Sequence, residues 1–286
     1  MAILSACSRF PLDHYIIYPT RVPPQTTNWS YDVQKGNMLI HLEWAAPHGS
    51  GPFPTVVVHP EAGKTAHHMQ GIIWDLANQG YLAVAVDYKR MIHGEFQRSL
   101  FPWREKADAT AALEIILSEP RVNIGRIGVL GFSQGGVFSL LIAAAAPDKI
   151  KAVVAYYPVT DFNLWLNIHR TNPIQRIIFC IVKKYFYKES NAQSKEEFQQ
   201  LLNMASPYYH AERIRAATLL IHGKIDTTAS VEESERMAAR LAELGRDVKL
   251  IVVEDATHAF NFKDREKASQ AWIASITWFD DHLRSQ

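Results

Sequence analysis

The apolar positions of this chain keep two different rhythms, and the change from one to the other divides it. Residues 1–28 hold Pro11, Pro19, Pro23 and Pro24 with little periodicity, which predicts an extended arm over the surface. Trp29–Lys35 and Met38–Ala45 are strand-like runs around Gly36-Asn37, a pattern that predicts a hairpin. Pro47–Pro54 is a polar loop. Then Thr55–His59 (TVVVH) carries apolar residues on both faces, as a strand buried inside a parallel sheet does. His68–Gln79 repeats Met69, Ile72, Ile73, Leu76 and Ala77 at helical spacing and closes at Gly80.

The same alternation continues. Tyr81–Val86, Arg126–Gly131, Lys151–Tyr157, Thr218–His222 and Val248–Glu254 read as strands. Glu105–Leu117, Gln134–Ala146, Val231–Leu244 and Glu266–Leu283 read as helices, the first stopped by Pro120. Such alternation predicts an α/β architecture: a mostly parallel central sheet flanked by helices on both faces, over 55–286. Residues 1–54 add the arm and a hairpin that joins the sheet. The rhythm pauses over 161–213, where Ile174–Phe186 and Ser194–Leu202 look helical, and this insertion is expected to form a helical cap. Ile174–Phe186 is apolar on more than one face, which fits either a homodimer contact or a lid over the site.

Composition narrows the class. A chain of 286 residues is long enough for one large α/β domain with a deep core. Its 30 basic and 29 acidic side chains give a net charge of +1, so no overall field points to nucleic acid or an anionic membrane. No apolar run reaches the roughly 18 residues of a membrane span. Cys7 and Cys180 are far apart and are expected to be free thiols of a cytoplasmic protein. Leu4-Ser5-Ala6-Cys7 has the outline of a lipoprotein cleavage box, but lacks the apolar stretch of about 7–15 residues that must precede one.

The sharpest chemical signal is Gly131-Phe132-Ser133-Gln134-Gly135, a G-x-S-x-G motif lying between a buried strand and a helix. A strand that reverses directly into a helix lifts the serine oxygen clear of the sheet, above a helix N-terminus that favours negative charge. A serine hydroxyl needs a base, and the base an orienting acid. After Ser133, LLIHGKID supplies Asp226 and LIVVEDATHAF supplies His258, each just past a strand. Asp161 and Asp255 are rival acids. Adjacent His67 and His68 point apart on any regular element and no third ligand is spaced with them, so no metal site is expected.

An oxyanion formed at Ser133 needs two donors. One is expected from the backbone N–H of Gln134, the other from the loop His59-Pro60-Glu61-Ala62-Gly63. Pro60 has no N–H to give, which leaves Glu61 first and Ala62 second. The Glu61 carboxylate would oppose an oxyanion unless paired, with Lys89 or Arg90 as candidates. Phe96, Phe101 and Trp103, in a loop expected over Ile92–Trp103, are candidates for an apolar substrate wall or for packing beneath the cap.

VVVHPEAG, GFSQGG, LLIHGKID and ATHAF, in this order, resemble the α/β-hydrolase superfamily over roughly Thr55 to Leu283. Within it the dienelactone hydrolase-like and prolyl-oligopeptidase-like branches are nearest. ASPYYHAERIRAATLLIHGKID (Ala205 to Asp226) is similar to the stretch before the acid in the second branch, which usually carries an N-terminal propeller that this chain has no room for. Dienelactone hydrolases proper use a cysteine where this chain has Ser133, and their loop glutamate is offset from Glu61. The resemblance implies an α/β-hydrolase fold, no metal and no organic cofactor. It also implies hydrolysis of a small carboxylic ester or lactone through an acyl-enzyme on Ser133. An exopeptidase or aminoacyl-amide hydrolase is the first alternative, although no pair of glutamates for a free amino terminus stands out. A catalytically silent binding protein on the same fold is the second.

Overall fold

The structure is a computed structural model that describes residues 26–92, 95–97, 102–167 and 172–284, with backbone alone for 90–92, 95–97 and 102–108. Of the arm expected over 1–28, residues 1–25, with Cys7, lie outside the described residues, as does the candidate Phe101, and 26–28 belong instead to the first strand. The hairpin forms from β1 (Thr26–Lys35) and β2 (Met38–Pro47), closing at the pair Lys35 and Met38 around Gly36, whose φ is +62°. β2 continues antiparallel onto β4 (Leu82–Ile92). β3 (Phe53–His59), β6 (Val122–Phe132), β7 (Ile150–Tyr156), β8 (Ala217–Gly223) and β9 (Val248–Val253) then run parallel to β4. Spatial order is β1-β2-β4-β3-β6-β7-β8-β9, with β5 (Glu95–Gln97) paired antiparallel to the far end of β4.

Side chains that alternate along a strand point to opposite faces, so a doubly covered sheet needs two cores. Val56 and Val58 enter one core with Ile72 and Leu76 of α1 (Gln70–Asn78) and Trp272 and Phe279 of α8 (Arg265–Leu283). Val57 enters the other with Ile116 of α2 (Pro102–Leu117), Leu140 of α3 (Gln134–Ala145) and Met237 and Leu241 of α7 (Val231–Glu243). The mostly parallel sheet with helices on both faces is therefore borne out. No described helix is long and apolar enough to cross a membrane.

The insertion folds as α4 (Phe162–Asn167), α5 (Pro173–Ser190), α6 (Lys195–Ala205) and a 3-10 turn, Pro207–Arg213. Its own core, Phe162, Leu166, Phe186, Phe198 and Leu202, sits on Val137 and Leu141 of α3. Glu233 of α7 pins the start of α4. Its Oε2 accepts from Thr160 N (2.9 Å) and Asp161 N (2.7 Å), and its backbone oxygen accepts from Thr160 Oγ1 (2.7 Å). Its Oε1 is buried without a partner among the described residues. Burial pushes this carboxyl up from 4.5 to about 7, although the N–H bonds pull the other way.

A raised acid pKa has a definite sign for stability. Between pH 4.5 and about 7 the folded chain keeps a proton that the unfolded chain has released. Stability from this group is therefore full below that window and falls as pH rises through it, by at most about 3 kcal/mol. Glu233→Gln is expected to flatten that part of the profile. Urea midpoints at mildly acid and mildly alkaline pH check it, and equal slopes in both proteins would assign the titration to another group.

Three expectations need correction. The loop expected over Ile92–Trp103 instead holds β5 and the first turn of α2. Phe96 thus lies on a strand opposite Met91, and Trp103 follows Pro102 inside a helix. The ladder from β2, Met38 to Arg90 through Ala45 to Ala83, carries β4 past Val86 across polar residues that hide the strand pattern. Pro102 suits a first helical position because its φ is preset and no N–H is required there. The helix expected from His68 begins instead at Gln70, after a 3-10 turn over Ala66–Met69. Here His67 Nδ1 lies 3.4 Å from Glu43 Oε1, whereas His68 Nδ1 accepts from Thr65 N at 3.1 Å, so the two rings do serve different partners.

Candidate active site

One residue separates β6 from α3, and it is Ser133, at φ 51° and ψ −114°. An L-residue held there stores on the order of 1–3 kcal/mol of strain. The neighbours explain how the turn is tolerated. Ser133 N donates to Tyr156 O (2.9 Å), and Ser133 O accepts from Gly136 N (2.9 Å) and Val137 N (3.2 Å). Phe132 is anchored below, against Tyr156 and Phe262. A Cβ on Gly131 would lie 2.0 Å from Gly135 O, and one on Gly135 would lie 2.1 Å from His59 O. The glycines are thus required by contact between backbones.

This contact yields a stability prediction. In a helix alanine is favoured over glycine by roughly 1 kcal/mol, but at Gly135 the obstacle is rigid main chain. Gly135→Ala is expected to lose stability at the upper end of the ~1–3 kcal/mol that overpacking costs. Gly71→Ala on α1, where a Cβ meets nothing within 4 Å, is expected to be neutral or stabilising. Thermal melts of the two variants check the contrast.

Over Ser133 stands His258, on the loop after β9, with Nε2 3.0 Å from Ser133 Oγ. Its Nδ1 donates to Asp226 Oδ2 at 2.6 Å. Asp226 follows β8, and its Oδ1 accepts from Thr228 N (2.8 Å) and Ala229 N (3.0 Å). Burial alone would raise the Asp226 carboxyl, but hydrogen bonds from His222 and His258 outweigh it and hold the group far below the usual carboxylate range. The α7 N-cap is Ser230 rather than Asp226. Among the rival acids, Asp161 caps α4 and pairs with Arg236 at 3.3 Å, and Asp255 occupies a turn at φ 52°.

Two supports escaped sequence reasoning. His222, fully buried at the end of β8, lies with Nε2 3.0 Å from Ala229 O and 3.4 Å from Asp226 Oδ2. Its Nδ1 meets Ser234 Oγ of α7 at 2.8 Å, so the ring braces the acid loop against the helix. Tyr157, at φ 39°, sets its ring edge-on to His258 with centroids 4.6 Å apart. Its hydroxyl donates to Asn261 Oδ1 at 2.5 Å and ties down the His258 loop.

The loop after β3 runs directly beside the α3 N-terminus, because the His59 and Pro60 carbonyls abut Gly135. Glu61 O then accepts from Lys64 N (3.1 Å) in a turn with Gly63 at φ +80°. The half-buried Glu61 carboxyl is raised by desolvation, against the charges of His258, Lys64 and Lys263. Lys64 and Lys263 are charges near Glu61 that the sequence reading, which offered Lys89 or Arg90, did not name.

The chain has relatives of known family and fold. Residues 76–286 match the sequence profile of the prolyl oligopeptidase family. The chain belongs to the prolyl oligopeptidase family. A relative in Bacillus subtilis (strain 168), “Uncharacterized peptidase YtmA”, is 27% identical over 199 residues, 69% of this chain and 72% of its own. The acylaminoacyl peptidase of Pyrococcus horikoshii superposes with a TM-score of 0.75 at 18% identity, over 92% of this chain and 43% of that one. Esterase 2 of Thermogutta terrifontis, solved phosphorylated by paraoxon, superposes at 0.65 with 17% identity, over 90% and 94%. Two further relatives are much longer, and the matched stretch spans 36% and 42% of their lengths. The α/β-hydrolase fold expected from the motifs is the fold of this prolyl oligopeptidase family member.

Proposed function

We propose that this chain is a serine hydrolase that cleaves carboxylic esters or lactones through an acyl-enzyme. One observation carries the proposal: Ser133 Oγ, His258 Nε2 and Asp226 Oδ2 form a continuous relay with steps of 3.0 and 2.6 Å. His258, its Nδ1–H fixed on Asp226, accepts the Ser133 proton as Oγ attacks the carbonyl carbon. The C–O bond to the leaving group breaks as His258 returns that proton. Water, deprotonated by the same imidazole, then releases the acid and restores Ser133. The Gln134 N–H, at the first position of α3, faces the developing oxyanion, with Glu61 or Ala62 N–H as second donor. The closeness of the β3 loop to Gly135 supports that pairing.

Phe96 and Trp103 stem from segments that follow the C-terminal end of β4, the same rim of the parallel strands as Ser133. That origin supports a role in the substrate wall, as ligands of open α/β sheets bind at this rim. Phe101 belongs to the same proposal. Amides of acylated amino acids are a second reading, favoured by family membership and by the superposition on an acylaminoacyl peptidase.

A substrate panel separates them. Turnover of p-nitrophenyl butyrate and a small lactone is expected to exceed that of N-acetylalanyl p-nitroanilide at least tenfold in kcat/KM. The reverse order would transfer the reading to the amide. Failure of a fluorophosphonate probe to label Ser133 would remove both and leave a binding protein.

A further inference from the structure

The cap helix α5 presents two unlike surfaces. Phe179 and Phe186 turn inward to Trp165, with ring centroids 5.1 and 5.9 Å away. On the outer side Ile174, Ile177 and Ile181 are 68%, 62% and 47% exposed. Ile177 and Ile181, with Pro173, Arg176, Cys180 and Lys184, border a shallow groove of about 340 Å³. At roughly 100° per residue, the three isoleucines form one stripe about 60° wide, with Lys188 inside it and Lys184 along its border. The helix carries Arg176, Lys183, Lys184 and Lys188 against a single acid, Glu189. Lys183 reaches Asn167 Oδ1 at 2.5 Å, and all four basic residues are exposed. The near-neutral charge of the whole chain conceals this local cationic surface.

We propose that α5 docks the protein onto an anionic lipid surface, lying in the interfacial plane with its isoleucine stripe among the upper acyl chains. A cationic amphipathic helix binds such a surface by apolar insertion and by attraction to anionic headgroups. Lysines beside the stripe are compatible with insertion, since their stems lie along the apolar layer while the ammonium groups reach the headgroups. The same lysines oppose a second copy as occupant. A two-fold contact through this stripe sets Lys184 of one copy near its counterpart if the helices run parallel, or near Arg176 if they run antiparallel, and like charges repel strongly in an apolar seam. A spanning role is excluded for α5 by its low hydropathy and its five charged side chains.

Co-sedimentation of the full chain with vesicles tests this, using phosphatidylcholine alone and phosphatidylcholine with phosphatidylglycerol. Anionic vesicles are expected to bind at least tenfold more tightly, with the excess lost at high salt. Ile177→Asp with Ile181→Asp, and separately Lys184→Glu with Lys188→Glu, are each expected to weaken that partition by tenfold or more. Hydrolysis of a soluble ester is expected to stay unchanged, since all four side chains lie outside the site, and this shows that the variants are folded. The proposal is overturned by wild-type indifference to lipid charge or by variants that partition as well as wild type. It is also overturned if sedimentation velocity reveals a dimer that Ile177→Asp dissociates, because a second copy then covers the stripe.

Discussion

Ser133→Ala is expected to lower kcat for p-nitrophenyl butyrate by about 10⁶-fold, the loss seen when a comparable relay loses its nucleophile. The residue left behind keeps the turn. Ser133 N and O make the backbone bonds to Tyr156, Gly136 and Val137, and none of them uses Oγ. His258 and Asp226 stay joined at 2.6 Å. What disappears is the only hydroxyl within 3.0 Å of His258 Nε2 among the described contacts. Residual turnover above water is expected from the oxyanion donors. Steady-state kinetics with a circular-dichroism check of folding measure this, and activity within tenfold of wild type would falsify the role given to Ser133.

Asp226→Asn is expected to cost about 10⁴-fold in kcat with little change in fold. The direction follows from the two backbone donors. Thr228 N and Ala229 N both point at Oδ1, so the asparagine carbonyl must occupy that position. The amide NH2 then faces His258 Nδ1. That nitrogen can only accept, the ring proton moves to Nε2, and Nε2 can no longer take the proton of Ser133. Imidazole nitrogen shifts in NMR spectra of the variant report the tautomer directly. A variant whose Nδ1 stays protonated, or whose kcat is near wild type, would break the argument.

The sequence exposed the three candidate side chains because each follows a strand whose β-branched run is legible by itself. Ser133 after IGVLGF, Asp226 after TLLIH and His258 after KLIVV all stand at one rim once those strands run parallel. Choosing among acids needed three dimensions: Asp161 is equally well placed in the chain, but its carboxylate serves α4 and Arg236. His222 was hidden for a different reason. It reads as one more strand residue, and its partner Ser234 lies on a helix whose packing onto β8 no local pattern describes. Tyr157 and Asn261 are 104 residues apart, and their bond exists only after the sheet has assembled. The strand β4 outran its expected end because the ladder to β2, rather than apolar alternation, defines it there.

Among the described strands β9 is the outermost on its side, bonded only to β8, and none of its residues is fully buried. His258 hangs from that margin, whereas Ser133 is rooted in the middle of the sheet. Margins open locally before the centre melts. On warming, therefore, turnover fails at a lower temperature than the ellipticity does, and cooling from between those two temperatures restores it.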